Sequence, residues 1–245
     1  VVLSQKGAHK LSELASVQLQ EGHAGMAQDS CIFVSPTSRM PKPWIGFGGS
    51  FTEASAVTLS KMQGHLQEEV LKACFDAEAG LGYTAGRVHM GSCDFSLGNW
   101  TCGDLRDDDH ELSDFSIEHY QEAILPMCRR AAEIAGTPLW MLASPWSPPP
   151  WMKTKNEFGG DGHLRPECRK AWALHFARFI QEMTKAGVGI AAVSVQNEPE
   201  NPAPWEACLY TGSEERDFVK HLGPLLEEVG LGSVKILIWD HNRDG

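Results

Sequence analysis

Short β-rich apolar runs alternate along this chain with segments of helical periodicity, and that order constrains the fold more than any other feature. The runs fall at residues 44–51, 86–90, 138–143, 190–195 and 234–239. A strand, a helix and another strand in repeated succession return each strand in the same direction, which predicts an α/β protein with a parallel sheet. Between the runs, Ser116 is placed to cap a helix with Ile117, Tyr120, Ile124, Cys128, Ala131 and Ile134 inward and Gly136 as its stop. Pro126 is expected to kink it. Pro166 suits the first turn of a second helix, whose stripe of Trp172, Phe176, Phe179 and Met183 reads as core and whose end falls before Gly187. Thr211 and Glu214 form a capping box for a third, which carries Phe218, Val219, Leu222, Leu225, Leu226 and Val229 to Gly230, with a second kink expected at Pro224.

A doubly wound sheet and a (β/α)8 barrel both begin this way. The doubly wound fold needs a phosphate-binding glycine turn; Gly46, Gly48 and Gly49 do not continue into one, and no acidic residue closes a compact first unit. The pattern therefore predicts about the first five β/α units of a barrel. Such a sheet leaves an unpaired apolar edge, because a closed cylinder needs about eight strands. Either more chain follows or something else covers that edge. The long irregular connection at 91–115 leaves a strand at the end where barrel sites are built.

The formal charge of −11 repels phosphate backbones and excludes a nucleic-acid partner, leaving neutral substrates or simple solubility as its meaning. The longest apolar stretches, such as 188–195, are far shorter than the roughly 20 residues of a spanning helix. Seven cysteines, widely spread and without a Cys-x-x-Cys pair, disfavour a zinc ribbon or disulfide scaffold. Cys93 and Cys102 are either a disulfide or two buried thiols, which leaves the compartment unknown. The opening residues lack a charged leader and apolar core, so a signal peptide is expected to be absent or already removed. Asn99-Trp100-Thr101 is a glycosylation sequon, a tripeptide too common to decide anything.

The chemistry centres on Val193-Ser194-Val195-Gln196-Asn197-Glu198-Pro199, where an apolar strand ends in a carboxylate flanked by an amide and a proline. In a barrel that position is the catalytic rim. A glutamate partly desolvated there favours its acid form and can protonate a departing glycosidic oxygen, while Asn197 can hydrogen-bond a sugar hydroxyl. The plain alternative is that Asn-Glu-Pro only punctuates a strand-to-loop transition.

Three further motifs end predicted strands: Trp44-Ile45-Gly46-Phe47-Gly48-Gly49-Ser50-Phe51-Thr52-Glu53-Ala54, Arg87-Val88-His89-Met90-Gly91-Ser92-Cys93-Asp94-Phe95-Ser96, and Ser144-Pro145-Trp146-Ser147-Pro148-Pro149-Pro150-Trp151-Met152-Lys153-Thr154. With Asn197-Glu198-Pro199 they stand in an order that resembles glycoside hydrolase family thirty, in its glucosylceramidase branch. The resemblance runs from about Trp44 to the end of the chain. It implies a (β/α)8 TIM barrel with a β-rich side domain, so that residues 1–40 contribute to the side domain and residues 41–245 form a partial catalytic barrel.

Carried over position by position, Glu198 matches the family's acid/base and Asn197 the asparagine beside the cleaved bond. Asp94 and Trp146 match sugar-binding positions, and Arg87 matches a buried arginine that supports the nucleophile. Read without the family, Asp94 is equally a loop cap, Trp146 a core residue and Arg87 a structural ion-pair partner; His241 and Asn242 are further candidates for the cleft. The family's nucleophilic glutamate ends the seventh strand, so the nucleophile is expected beyond residue 245.

The resemblance thus implies a retaining β-glycosidase acting by double displacement on a β-glucoside or glycosphingolipid such as glucosylceramide. It implies no cofactor and no metal, and a secreted or lysosome-like compartment. A β-1,6-glucanase or β-xylosidase fits the same family. Outside that class stand a non-catalytic carbohydrate-binding fragment, half of an assembly whose partner completes the barrel, and an inverting hydrolase that uses Asp94.

Overall fold

The computed structural model describes residues 35, 37–103 and 108–242 and the backbone of 2–3 and 12–13. It contains two compact units, Val1–Trp44 and Ile45–Gly245. In the first, β1 (Val2–Leu3) pairs antiparallel with β2 (Ser12–Glu13), Val2 opposite Glu13. Most of the segment expected to join a side domain lies outside the described residues.

The second unit is a five-stranded parallel sheet in sequential order: β3 (Gly48–Phe51), β4 (Ala85–Met90), β5 (Trp140–Pro145), β6 (Ile190–Ser194) and β7 (Lys235–Leu237). Each strand neighbours the next in the chain, without the reversal of order that defines a doubly wound sheet. This is the arrangement of an opened (β/α) barrel. All five expected strands are present with shifted bounds. The first begins at Gly48 because Trp44, Ile45 and Phe47 remain exposed, and the third starts and ends two residues later than its apolar run.

Register explains which residues reach the core. Phe51, Val88, Ala143, Val193 and Ile236 lie side by side across the sheet, and this row packs into the hydrophobic core. Ser50, Arg87, Leu142, Ala192 and Lys235 form the neighbouring row, and the two-residue period of a strand turns it to the opposite face. Gly86 lies on the core side of β4, where an added Cβ would stand 2.4 Å from the Phe51 ring and 2.8 Å from the Met141 sulfur. Glycine there permits the close packing of three strands.

Between β3 and β4 run α1 (Glu53–Ser60) and α2 (Gly64–Phe75), which present too few apolar residues for a clear sequence signal: Ala56 and Leu59 from one, Leu71 and Phe75 from the other. Between β4 and β5 the single expected helix is divided into α3 (Glu118–Gln121) and α4 (Ile124–Ala135). The break falls before Pro126, not at it. Pro126 occupies the first turn of α4, where no intrahelical N–H bond is required. Gly136 ends α4 with φ 67°, the left-handed stop expected of it.

A short 3-10 turn, Pro166–Cys168, leads into α5 (Arg169–Lys185), and Trp172, Phe176, Phe179 and Met183 are all buried. The helix α6 (Gly212–Glu228) carries the full capping box of Thr211 and Glu214 and accommodates Pro224 without ending. Cys93 and Cys102 are both buried and no disulfide joins them, the second of the two alternatives the sequence left open. Among the described residues no helix is long and apolar enough to cross a membrane.

The edge strands β3 and β7 have no further partner among the described residues, and Ile45, Phe47, Ile238 and Trp239 stand exposed beside them. At the other extreme, Tyr120 of α3 is fully buried below the end of β4, where its hydroxyl accepts the Gly91 N–H at 2.8 Å and donates to the His89 carbonyl at 2.9 Å. Tyr120→Phe leaves both backbone groups without that partner, and urea unfolding should register a loss of about 1–3 kcal/mol. An unchanged midpoint and slope would mean that water replaces the hydroxyl.

Candidate active site at the carboxyl ends of the strands

Arg87 stands in the row of β4 that faces away from the core. Its Nε–H donates to the Ser144 hydroxyl at 3.0 Å, and its Nη2 to Asn197 Oδ1 at 2.8 Å and Asp240 Oδ2 at 2.7 Å. The hydroxyls of Ser144 and Ser194 lie 3.1 and 2.6 Å from the same Asp240 oxygen and 2.8 Å from each other. One guanidinium thereby links β4 to the ends of β5, β6 and β7. Its carbon also sits 4.7 Å from the centre of the Trp146 ring, a cation–π contact that fixes the indole over the charge.

The turn after β6 is held mainly by backbone. The Asn197 N–H donates to the Pro145 carbonyl at 2.8 Å and the Glu198 N–H to the Asp240 carbonyl at 2.8 Å. Gln196, fully buried, donates its amide to the carbonyls of Trp146 and Asn197. Glu198 takes φ 46°, a left-handed conformation that costs a side chain with Cβ of order 1–3 kcal/mol and is found where the surroundings enforce it. Its carboxylate, half-buried, accepts from Asn201 Nδ2 at 2.8 Å.

Asp94 is exposed on the segment after β4. Burial of its carboxyl and the nearby charges of Glu198 and Glu206 push its pKa up, while its own backbone N–H and the Trp146 side chain act in the other direction. His89, two residues beyond Arg87, accepts the Glu53 N–H at Nε2 and meets the Gly91 carbonyl at Nδ1, an arrangement that suits the neutral ring with its proton on Nδ1. Desolvation lowers its pKa, in keeping with that form.

These side chains meet in a cleft of about 480 Å³, a volume within the range of small-molecule sites. Arg87, Asp94, Trp146, Asn197 and Glu198 all line it, with His89 beside them. Trp146 is therefore a half-buried wall of the cleft and not a core residue. His241 and Asn242 do not line it, contrary to the expectation for them; the preceding residue, Asp240, does not line it either but turns its carboxylate to Arg87, Ser144 and Ser194, and a parallel bridge pairs its backbone with Asn197. Asp240 escaped the sequence reading since nothing in Trp239-Asp240-His241 distinguishes an inward carboxylate from a solvated one. Ser144 and Ser194 were equally silent, although both end predicted strands. Among the described residues no three His, Cys, Asp or Glu side chains converge on a metal site.

A parallel sheet in barrel order, with an acidic and aromatic cleft at the carboxyl ends of its strands, defines the catalytic face of a TIM-barrel enzyme. Residues 45–245 match the family model described as the glycosyl hydrolase family 30 TIM-barrel domain, and the chain belongs to that family. It is 32% identical over 208 residues to the lysosomal acid glucosylceramidase of Mus musculus, an alignment that takes in 81% of this chain and 40% of the mouse protein. Among solved structures it resembles SrfJ from Salmonella typhimurium, with TM-score 0.78, 38% identity and coverage of 82% of this chain and 44% of that one. It also resembles the endo-beta1,6-glucanase BT3312, with TM-score 0.77, 30% identity and coverage of 85% and 46%. The chain spans about two fifths of the length of the mouse protein.

The raised pKa of Asp94 has a thermodynamic consequence. A carboxyl whose pKa is higher in the folded state stabilises the fold only while protonated, and that contribution is lost as pH rises from the ordinary value of 3.8 through the raised one. Asp94→Asn should therefore increase the melting temperature at pH 7 and leave it unchanged near pH 3. A lower melting temperature of the variant at pH 7 would contradict the assignment of cause.

Proposed function

We propose that this chain supplies the sugar-binding wall and the acid/base of a retaining β-glycosidase, with Glu198 as the acid/base. The observation that carries the reading is the position of Glu198: at the carboxyl end of the fourth strand of the sheet, held in a left-handed turn, on a cleft shared with Asp94, Trp146, Asn197 and Arg87. In the first step Glu198 gives its proton to the glycosidic oxygen as the aglycone leaves. In the second it takes a proton from the water that cleaves the glycosyl ester.

The ester forms on a glutamate that this reading places beyond residue 245, at the end of a later strand. Retention requires that carboxylate about 5–5.5 Å from Glu198, on the other face of the sugar. Asp94 accepts hydroxyl hydrogen bonds with a charged acceptor's strength, Trp146 offers an apolar face to the ring, and Asn197, with its Oδ1 fixed by Arg87, has its amide N–H groups left for the substrate. Residues 1–40 belong in this scheme to a β-rich side domain and 41–245 to the catalytic barrel. The scheme calls for no cofactor, since both steps are proton transfer and carboxylate attack.

The substrate under this reading is a β-glucoside, glucosylceramide in kind, by similarity to the mouse glucosylceramidase. The likeness to the endo-beta1,6-glucanase BT3312 favours a second reading, a β-1,6-glucan. Turnover of glucosylceramide and of a β-1,6-linked glucan by the full-length protein decides between them. Glu198→Gln in that protein should lower kcat on an unactivated β-glucoside by about 100- to 10,000-fold, the usual worth of a positioned acid. Substrates with acidic leaving groups should lose less in the first step. Wild-type rates in the variant would remove Glu198 from the mechanism, and proton NMR detection of the α-anomer as first product would replace retention with inversion.

A further inference from the structure

The segment that carries Asp94 is a closed loop. At its neck the Ser92 N–H donates to the Trp100 carbonyl at 2.9 Å and the Trp100 N–H to the Ser92 hydroxyl at 3.0 Å. Asp94 lies beyond that neck, on turns closed by Ser96 N–H to the Cys93 carbonyl and Cys93 N–H to the Ser96 hydroxyl. Such a loop has no strand neighbour to fix its tilt over the cleft.

Two carboxylates hold it from outside, and both are almost fully buried: Glu53 at 5% and Glu206 at 4% exposure. Glu53, the first residue of α1, accepts the Leu97 N–H at 3.2 Å and the Trp100 indole N–H at 2.9 Å on one oxygen, and His119 Nε2 at 2.7 Å on the other. The His119 ring packs against Trp100, tilted by 30°, with centres 4.0 Å apart. Ala54, next to Glu53 in the chain, donates its N–H to the Phe95 carbonyl at 2.9 Å. Burial disfavours the Glu53 charge, yet the bonds from Trp100, His119 and Leu97 outweigh it and keep the carboxyl below its ordinary pKa.

Glu206 stands eight residues after Glu198 on the same connection, and accepts Asn99 Nδ2 at 2.7 Å. It is itself anchored. The adjacent Ala207 donates to the Phe158 carbonyl at 3.0 Å and accepts, at 2.6 Å, from the fully buried Lys153 ammonium. The Asn99–Glu206 bond therefore joins the loop of Asp94 directly to the loop of Glu198. It also gives the sequon Asn99-Trp100-Thr101 a structural meaning, since Asn99 is held by Glu206 and Trp100 by Glu53.

We propose that Glu53 and Glu206 are positioning residues, two buried carboxylates that grip the Asp94 loop from the sides of the first and fourth sheet strands and set the distance between Asp94 and Glu198. The inference rests on the reading of Asp94 as a sugar ligand. Charge matters to it because hydrogen bonds to a carboxylate are roughly twice as strong as neutral ones, and because a Gln at 53 would turn an N–H2 toward one of three donors. Glu206 uses a single acceptor, so Gln can replace it.

The test compares Glu53→Gln, Glu206→Ala, Glu206→Gln and Asp94→Asn in the full-length protein. Amide hydrogen exchange across 92–100 should quicken at least about tenfold in E53Q and E206A, as expected for losing hydrogen bonds worth about 1.4 kcal/mol, and not in E206Q; exchange in β5 and β6 should stay unchanged, proving the fold intact. KM for the β-glucoside should rise in E53Q and E206A with kcat little altered, be rescued in E206Q, and rise no further when E206A is added to D94N.

Wild-type exchange in both E53Q and E206A overturns the clamp. A KM that D94N raises and the clamp variants do not overturns the positioning role while Asp94 keeps its own. A KM that D94N leaves unchanged sinks the reading of Asp94 instead, and exchange alone then decides whether the clamp exists.

Discussion

A guanidinium keeps its charge at any pH a protein survives, so a half-buried arginine dictates what must surround it. Arg87 on β4 is such a residue. It faces away from the helix-packed core because its neighbours Gly86 and Val88 take the core side, and it is too long to be satisfied within its own strand. Asp240, Asn197, Ser144 and the Trp146 ring complete its surroundings, drawn from the ends of three later strands. The pairing of Asp240 with Asn197 and the backbone bond from Glu198 to Asp240 follow from the same closure. The cleft is in this sense the outer surface of one ion pair and its hydrogen-bonded neighbours.

The loops that rim the cleft are long, and a long loop is ordered only where its backbone groups find partners. Buried charged side chains provide them in this fold. The Lys153 ammonium gathers the carbonyls of Glu157, Phe158 and Ala207 and the Ser147 hydroxyl, tying the connection after β5 to that after β6. Burial lowers its pKa, with the nearby Cys208, Glu157 and Glu206 acting in the other direction. Glu53 and Glu206 act in the opposite sense, gathering donors from the segment after β4. Cations that collect carbonyls and carboxylates that collect N–H groups together replace the regular hydrogen bonding that loops lack.

Much of the architecture was legible in the chain because it is written in periodicity. The stripe of Trp172, Phe176, Phe179 and Met183, the capping box of Thr211 and Glu214, and the stop at Gly136 are local signals, each read within a few residues. The helices after β3 were not legible, since α1 buries only Ala56, Leu59 and the polar Glu53, and amphipathic contrast is what a sequence shows. Pro126 misled as a kink because proline in a first turn and proline in a middle turn look alike until the helix start is known. The edge positions Ile45, Phe47, Ile238 and Trp239 read as strand because apolar β-formers do, while their exposure depends on what lies next to the sheet.

The sequence by itself determined the order of strands and helices, the family, and which strand ends carry Asp94, Trp146 and Asn197-Glu198, since these are properties of segments a few residues long. Only the tertiary structure decided that Asp240 and not His241 turns inward, that Trp146 lies over Arg87, and that Glu53 and Glu206 hold the loop of Asp94. Those contacts join residues 44 to 153 positions apart. No periodicity spans such distances, and a carboxylate in a chain looks the same whether it faces water or an arginine.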